Sequence, residues 1–232
     1  MKPTNWLESV NCAIDGVIWA VRTQRHMRYH FFAAMVVLLL AMWLRVSALE
    51  FTLLALAATL VLCAELVNTA LEVVVDLVSP DYHPLARRAK DVAAGIVLVA
   101  SVGAVVMGYL ILSGHLFPSL KGEEEGAWQA PGELAIVSLL AVTIVVVLLK
   151  ARSGGGAPLH GGMPSGHSAM AFCIATAMML SGAGTLLSLM AISLAAMVSH
   201  SRLLLGIHSL REVLVGGVLG IMVPLIFYLF LG

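Results

Sequence analysis

The sequence predicts an all-α fold: an integral membrane helical bundle of about seven transmembrane helices, preceded by an amphipathic N-terminal helix. Three observations predict it. Of 232 residues, 60% are hydrophobic and 11% charged, where soluble domains carry about 25% charged residues. Mean hydropathy is +1.00. Seven apolar stretches reach or approach the ~20 residues that cross a bilayer core. They lie at roughly 30–48, 50–78, 89–114, 133–150, 166–181, 184–201 and 212–231.

The N-terminal helix comes first. Trp6, Leu7, Val10, Ala13, Ile14, Val17, Ile18 and Val21 recur at three-four spacing, with Asn5, Glu8, Asn11 and Asp15 on the other side. There is no continuous apolar core of a secretory signal, so the segment is expected to lie in the membrane interface or on a bundle. After the third span, residues 115–132 bring Pro, Gly and an acidic run. That stretch is the expected domain boundary, with the linker placed at 119–132. The apolar run 168–199 reads as one long helix or as a hairpin turning at Ser181-Gly182-Ala183-Gly184. The hairpin is preferred, because a single helix would put His167 and Arg202 on opposite membrane faces, and glycines favour a turn. There is no internal repeat. Cys12, Cys63 and Cys173 sit among apolar neighbours without a CxxC, and are expected to be buried free thiols.

Charge sets the expected topology. With the N-terminus inside, Lys2, Arg22, Arg25, Arg28, Arg87, Arg88, Lys90, Lys150, Arg152, Arg202 and Arg211 fall inside, against Arg45 and Lys121 outside. That is the bias of the positive-inside rule. It survives removal of Lys90, Lys150 and Arg202, which are candidate site residues. Formal net charge is zero, so the total says nothing of partners, and no nucleic acid is expected among them.

Two polar constellations carry chemistry. In the first half, Glu65, Asn68, Glu72 and Asp76 are spaced three, four and four, which puts them on one helix face. Each charge in mid-bilayer costs about 2.5–3.5 kcal/mol on insertion scales, so such a row calls for metal, substrate or a polar network between helices. Acids suit Mg²⁺, which bridges nucleotide phosphates. Lys90 and Asp91 follow at the same predicted face, and Lys90 suits a phosphate. No Walker loop is present.

In the second half stand Pro164-Ser165-Gly166-His167 and Ser201-Arg202, with His208 five residues further on. Lys150 and Arg152 join them at one predicted face. Lys150 and Arg202 supply positive charge for a phosphate. Ser165 and the Gly166 backbone, opening a helix, supply donors and the positive dipole end. Two histidines allow one to attack phosphorus while the other protonates the leaving oxygen. Chemistry of this kind requires no metal.

On these residues, the stretch 133–232 resembles the type 2 phosphatidic acid phosphatase superfamily, whose motifs read Lys-x6-Arg-Pro, Pro-Ser-Gly-His and Ser-Arg-x5-His-x3-Asp. The resemblance implies His208 as nucleophile and His167 as general acid. Lys150, Ser165, Gly166 and Arg202 would hold the phosphoryl group. Two positions depart from the pattern. The motif arginine falls on Ala157, before Pro158, with Arg152 as a substitute nearby. The final Asp, which orients the nucleophile, is Glu212.

The stretch 1–115 resembles the small prokaryotic diacylglycerol kinase and undecaprenol kinase family. It does so through Glu65-Leu-Val-Asn68-Thr-Ala-Leu-Glu72-Val-Val-Val-Asp76 and Ala89-Lys90-Asp91, the amphipathic helix and three spans. This resemblance implies a homotrimer with shared sites, Mg²⁺ and ATP as cofactors, and Glu65 as general base. Glu72 and Asp76 would bind metal, and Asn68, Lys90 and Asp91 the nucleotide. The family's further metal-binding glutamate falls on Gln24.

The expected architecture is thus a kinase-like membrane domain at 1–118 joined to a phosphatase-like domain at 133–232, in the bacterial inner (cytoplasmic) membrane, with both sites on the cytoplasmic face. The expected activity is hydrolysis of undecaprenyl diphosphate or a related lipid phosphate through a phosphohistidine, fused to ATP-dependent undecaprenol kinase. The alternative is a phosphatidate or phosphatidylglycerophosphate phosphatase whose N-terminal half is a non-catalytic trimerisation scaffold. A third class, a transporter relaying ions along buried acids, explains the phosphate motifs poorly.

Overall fold

The computed structural model describes residues 5–117, 131–153 and 161–231. All eight elements found there are helices: α1 Trp6–Thr23, α2 Arg25–Trp43, α3 Ala48–Val78, α4 Pro84–Leu116, α5 Pro131–Ser153, α6 Gly166–Leu180, α7 Thr185–Leu204 and α8 Leu210–Leu231. The protein is an all-α, multi-pass membrane bundle. Its chain divides into two compact units, Met1–Pro118 and Ser119–Gly232. Of the predicted linker at 119–132, residues 119–130 lie outside the described residues, as does the Ala157-Pro158 motif position, while Pro131 and Gly132 already belong to α5.

In the first unit, Asn5 caps α1 by accepting from the Glu8 N–H at 2.8 Å, and the helix leaves Trp6, Leu7 and Ile14 exposed along its apolar side. The first span starts at Arg25 and stops at Trp43, about five residues earlier than the hydropathy alone places it. The Leu44 N–H closes α2 on the Leu40 carbonyl, Arg45 turns the chain at φ +52°, and Ser47 forms a reciprocal capping box with Glu50 at the start of α3. Pro84 opens α4, since its missing N–H costs nothing in a first turn. Helices α3 and α4 have 31 and 33 residues, so each is about 46–50 Å long at ~1.5 Å per residue. Both exceed a hydrocarbon core of ~30 Å, so their polar ends reach past it. They pack chiefly on each other. Ala41, Leu54 and Leu112 form the buried cluster near the α2–α3 turn.

In the second unit, α6 packs against α5, α7 and α8. The core is Val142, Val146, Ala169 and Cys173. The turn at Ser181–Gly184 is present as predicted, with Gly182 at φ +69° and Gly184 at φ +85°, a region that side chains avoid. Helix α6 has only 15 residues, roughly 22 Å, so six of the seven apolar helices meet a spanning length and α6 is the short one.

The cysteine expectation holds only for Cys173. Cys12 and Cys63 are exposed. The reasoning that an apolar neighbourhood means burial fails here, because a membrane helix also turns its apolar faces outward.

Candidate active sites

The second unit assembles its motif residues through backbone as much as side chains. After α7, Gly206 takes φ +64°, and the Ile207 and His208 N–H groups both return to the Arg202 carbonyl, at 3.2 and 3.3 Å. That turn brings His208 back over the end of the helix carrying Arg202. His208 is buried, its side chain 1% exposed, and its Nδ1 lies 2.7 Å from Glu212 Oε2. A carboxylate can only accept, so Nδ1 carries the proton and Nε2 keeps its lone pair.

Glu212 is itself held. Its Oε2 also accepts the Ser209 N–H at 3.1 Å, and its own N–H approaches Ser209 Oγ at 3.4 Å. This is a capping box at the start of α8. It fixes the longer glutamate where the motif has aspartate. The sequence reading missed Ser209, although Ser209-Leu-Arg-Glu212 is the signature of such a cap.

The Pro-Ser-Gly-His turn is tied to the same place. The Ser165 N–H donates to the Glu212 carbonyl at 2.9 Å. Ser165 is fully buried and its Oγ accepts from Ser168 Oγ at 3.2 Å. Gly166 opens α6, so its first-turn N–H groups face out of the helix end. His167, on the same turn, is half-buried. Lys150 Nζ donates to the Gly161 carbonyl at 3.0 Å, and Gly161 in turn backs onto Ile207, with its Cβ direction 3.5 Å from that carbonyl. One continuous set of contacts therefore joins Lys150, Gly161, the Arg202–His208 turn, Glu212 and Ser165. Among the described residues no hydrogen bond or ion pair joins Arg152 to this set, and Arg152 is exposed.

Two glycines allow the approach of α6 to α8. A Cβ on Gly216 would stand 2.4 Å from the Ser165 carbonyl oxygen, and one on Gly220 2.2 Å from that of Ala169. The Gly-x-x-x-Gly spacing in an apolar helix is a signal for such packing, and the sequence reading did not use it.

In the first unit, α3 carries the acidic row. Glu65 and Asn68 are buried, Glu72 half-buried and Asp76 exposed. Asn68 Nδ2 donates to Glu72 Oε1 at 3.1 Å. That fixes the amide, and leaves Asn68 Oδ1 buried without a partner. The Glu72 carboxylate and the unsatisfied Asn68 amide oxygen are hard-oxygen donors that fit Mg²⁺ held jointly with phosphates. They do not close a cage: no group of three His, Cys, Asp or Glu side chains converges among the described residues. Gln24 sits at the α1–α2 junction, half-buried. Beyond α3, Lys90 Nζ donates to Asp76 Oδ1, and Arg87 faces Asp91 at 4.0 Å. These four line a cavity of about 420 Å³ at the α3–α4 turn, with Asp81 and His83.

Residues 11–112 match the family model for prokaryotic diacylglycerol kinase, and residues 117–232, half of the chain, match that for the PAP2 superfamily. Over 109 residues the chain is 47% identical to a diacylglycerol kinase of Synechocystis sp., covering 47% of this chain and 62% of that protein. It is 40% identical over 96 residues to an undecaprenol kinase of Bacillus subtilis, covering 41% of this chain and 78% of that protein. With a diacylglycerol kinase of Escherichia coli the identity is 37% over 83 residues, 36% of this chain and 68% of that protein. No solved structure matches significantly.

Proposed function

The chain belongs to the prokaryotic diacylglycerol kinase family through residues 11–112 and to the PAP2 superfamily through residues 117–232, and from that premise we propose a lipid phosphatase fused to an ATP-dependent lipid kinase. The observation that carries the phosphatase reading is the His208–Glu212 pair joined through Glu212 to Ser165. His208 Nε2 attacks phosphorus and the bond to the leaving oxygen breaks, with the electron pair going to that oxygen. His167 protonates it. Glu212 stabilises the charge that His208 acquires. Arg202, Lys150, Ser165 and the Gly166 N–H hold the phosphoryl oxygens. Water, deprotonated by His167, then attacks the phosphohistidine and frees His208.

In the kinase-like unit, Glu65 is the base that takes the proton of a membrane alcohol. Lys90, with Asn68 and Asp91, receives the nucleotide. Glu72 and the Asn68 amide oxygen would hold Mg²⁺, which neutralises phosphate charge when bound. An amide binds this ion less well than a carboxylate, so Gln24 is expected to limit the kinase. Replacing Gln24 with Glu should raise transfer of label from γ-labelled ATP to undecaprenol. If the wild type and Gln24→Glu are both inert, the unit is a trimerisation scaffold. That second reading rests on Gln24 and pairs with a phosphatidate or phosphatidylglycerophosphate phosphatase.

Reaction logic favours polyprenyl lipids. A kinase acting on undecaprenol and a phosphatase acting on its diphosphate both yield the monophosphate, whereas a diacylglycerol kinase beside a phosphatidate phosphatase would undo its own product. The deciding assay is phosphate release by the full-length protein from a panel of lipid monophosphates and diphosphates, with and without EDTA. Release should be greatest from the polyprenyl diphosphate and unchanged by EDTA. Preference for phosphatidate would move the assignment to the second reading.

In this reading both sites face the cytoplasm at the bacterial inner membrane, and a homotrimer is expected through the first unit. The charge asymmetry supports the topology. Exposed Leu56, Leu60 and Val99 leave apolar faces for lipid or for further copies. In a background without native cysteines, a cysteine at Ser153 should resist an impermeant maleimide in intact cells, and one at Gly126 should react. The opposite pattern would move the phosphatase substrate to the outer leaflet.

A further inference from the structure

We propose that Asp76 is the resting counter-ion of Lys90, and that it competes with nucleotide phosphate for this lysine instead of binding metal. The inference rests on the reading of the first unit as a nucleotide site. Asp76 lies one helical turn beyond Glu72 on α3. Its Oδ1 accepts from Lys90 Nζ, bridging fourteen residues from the end of α3 to the first turns of α4. A carboxylate oxygen in contact with an ammonium is poorly placed to take Mg²⁺ as well, because the two cations repel.

The surroundings sharpen the assignment. The cavity at the α3–α4 turn holds three carboxylates, Asp76, Asp81 and Asp91, and two strong cations, Arg87 and Lys90. Both cations are already paired, Arg87 with Asp91 and Lys90 with Asp76. Asp81 stands outside both pairs. A phosphate entering this cavity must therefore take Lys90 from Asp76. The exchange is cheap, since the Lys90 and Asp76 side chains are 36% and 65% exposed, and solvent-exposed pairs are weak. Until then the pair holds a flexible side chain at the cavity wall, so less rotamer freedom is lost on binding.

The sign of a mutation separates the two roles. Removing a competitor tightens nucleotide binding, and removing a metal ligand weakens it. Full-length protein in nanodiscs would be titrated with a fluorescent trinitrophenyl-ATP, with and without Mg²⁺. Asp76→Asn should bind about two- to fivefold more tightly, the range expected on losing an exposed pair, and equally so in both conditions. Asp81→Asn removes the same charge from the same cavity without touching the pair, and should bind as the wild type does. Weaker binding by Asp76→Asn, seen only with Mg²⁺, would make Asp76 a metal ligand and overturn the proposal. Equal tightening in both variants would reduce it to bulk charge and overturn it too, as would no change in Asp76→Asn. Lys90→Ala should lose most binding. If Lys90→Ala binds like the wild type, the nucleotide reading of this cavity fails, whatever Asp76 does.

Discussion

His208→Ala is expected to lower lipid-phosphate hydrolysis by about 10⁴-fold or more, the scale on which loss of a covalent nucleophile is felt. The mechanism has no other route to a covalent intermediate. Nδ1 of His208 is committed to Glu212 at 2.7 Å, so Nε2 is the atom that attacks in the proposed mechanism. His167→Ala should cost nearly as much, since the leaving oxygen, that of the lipid monophosphate when a diphosphate is cleaved, then departs without a proton and water is not deprotonated for the second step. The two can be told apart. With an activated leaving group such as p-nitrophenyl phosphate, which needs little protonation, His167→Ala should still give a burst of p-nitrophenolate, while the second step, which needs His167 to deprotonate water, stays slow; His208→Ala should give no burst. Retained turnover in His208→Ala with natural substrate would sink the phosphohistidine mechanism. Folding is a fair concern for a buried residue, so each variant should be compared with wild type by thermal melting in the same nanodiscs.

Much of this protein is written in one-dimensional signals. Helix length and apolar runs are local, and the spans follow from them to within about five residues; caps such as Ser47 and Pro84 set the helix starts that hydropathy leaves open. The motif residues of the second unit were legible because phosphate chemistry demands particular groups at particular helix ends. What escaped the reading depends on how helices meet. Hydropathy says that Cys63 is in an apolar environment, but not whether lipid or protein supplies it. The Asp76–Lys90 contact spans a turn whose geometry no periodicity specifies. Ser209 is different: its capping box with Glu212 is local and follows the Ser-x-x-Glu pattern, but the same carboxylate also serves His208.

The close packing of α6 on α8 gives the second large effect. Gly216→Ala is expected to lower kcat for hydrolysis by about 10²-fold, the cost of misplacing reacting groups by roughly 1 Å. The added Cβ would meet the Ser165 carbonyl oxygen at 2.4 Å and the Ser165 nitrogen at 3.3 Å. Both are backbone atoms of the Pro-Ser-Gly-His turn, so no side chain can rotate away. The turn must move, and with it the Ser165 N–H that bonds the Glu212 carbonyl. Gly220→Ala meets the Ala169 carbonyl at 2.2 Å, one turn deeper in α6. It should destabilise the second unit by the ~1–3 kcal/mol typical of overpacking, and displace the same helix. Gly217→Ala is the control, because its Cβ would face the Phe172 ring at 3.2 Å, and a ring can yield by a few tenths of an ångström. The ordering to look for is a strong loss in Gly216→Ala and Gly220→Ala and a mild one in Gly217→Ala. Wild-type kcat in Gly216→Ala would mean that the spacing of α6 from α8 does not set the position of the Pro-Ser-Gly-His turn. The link from Glu212 through Ser165 would then not be what couples the nucleophile to its substrate cradle.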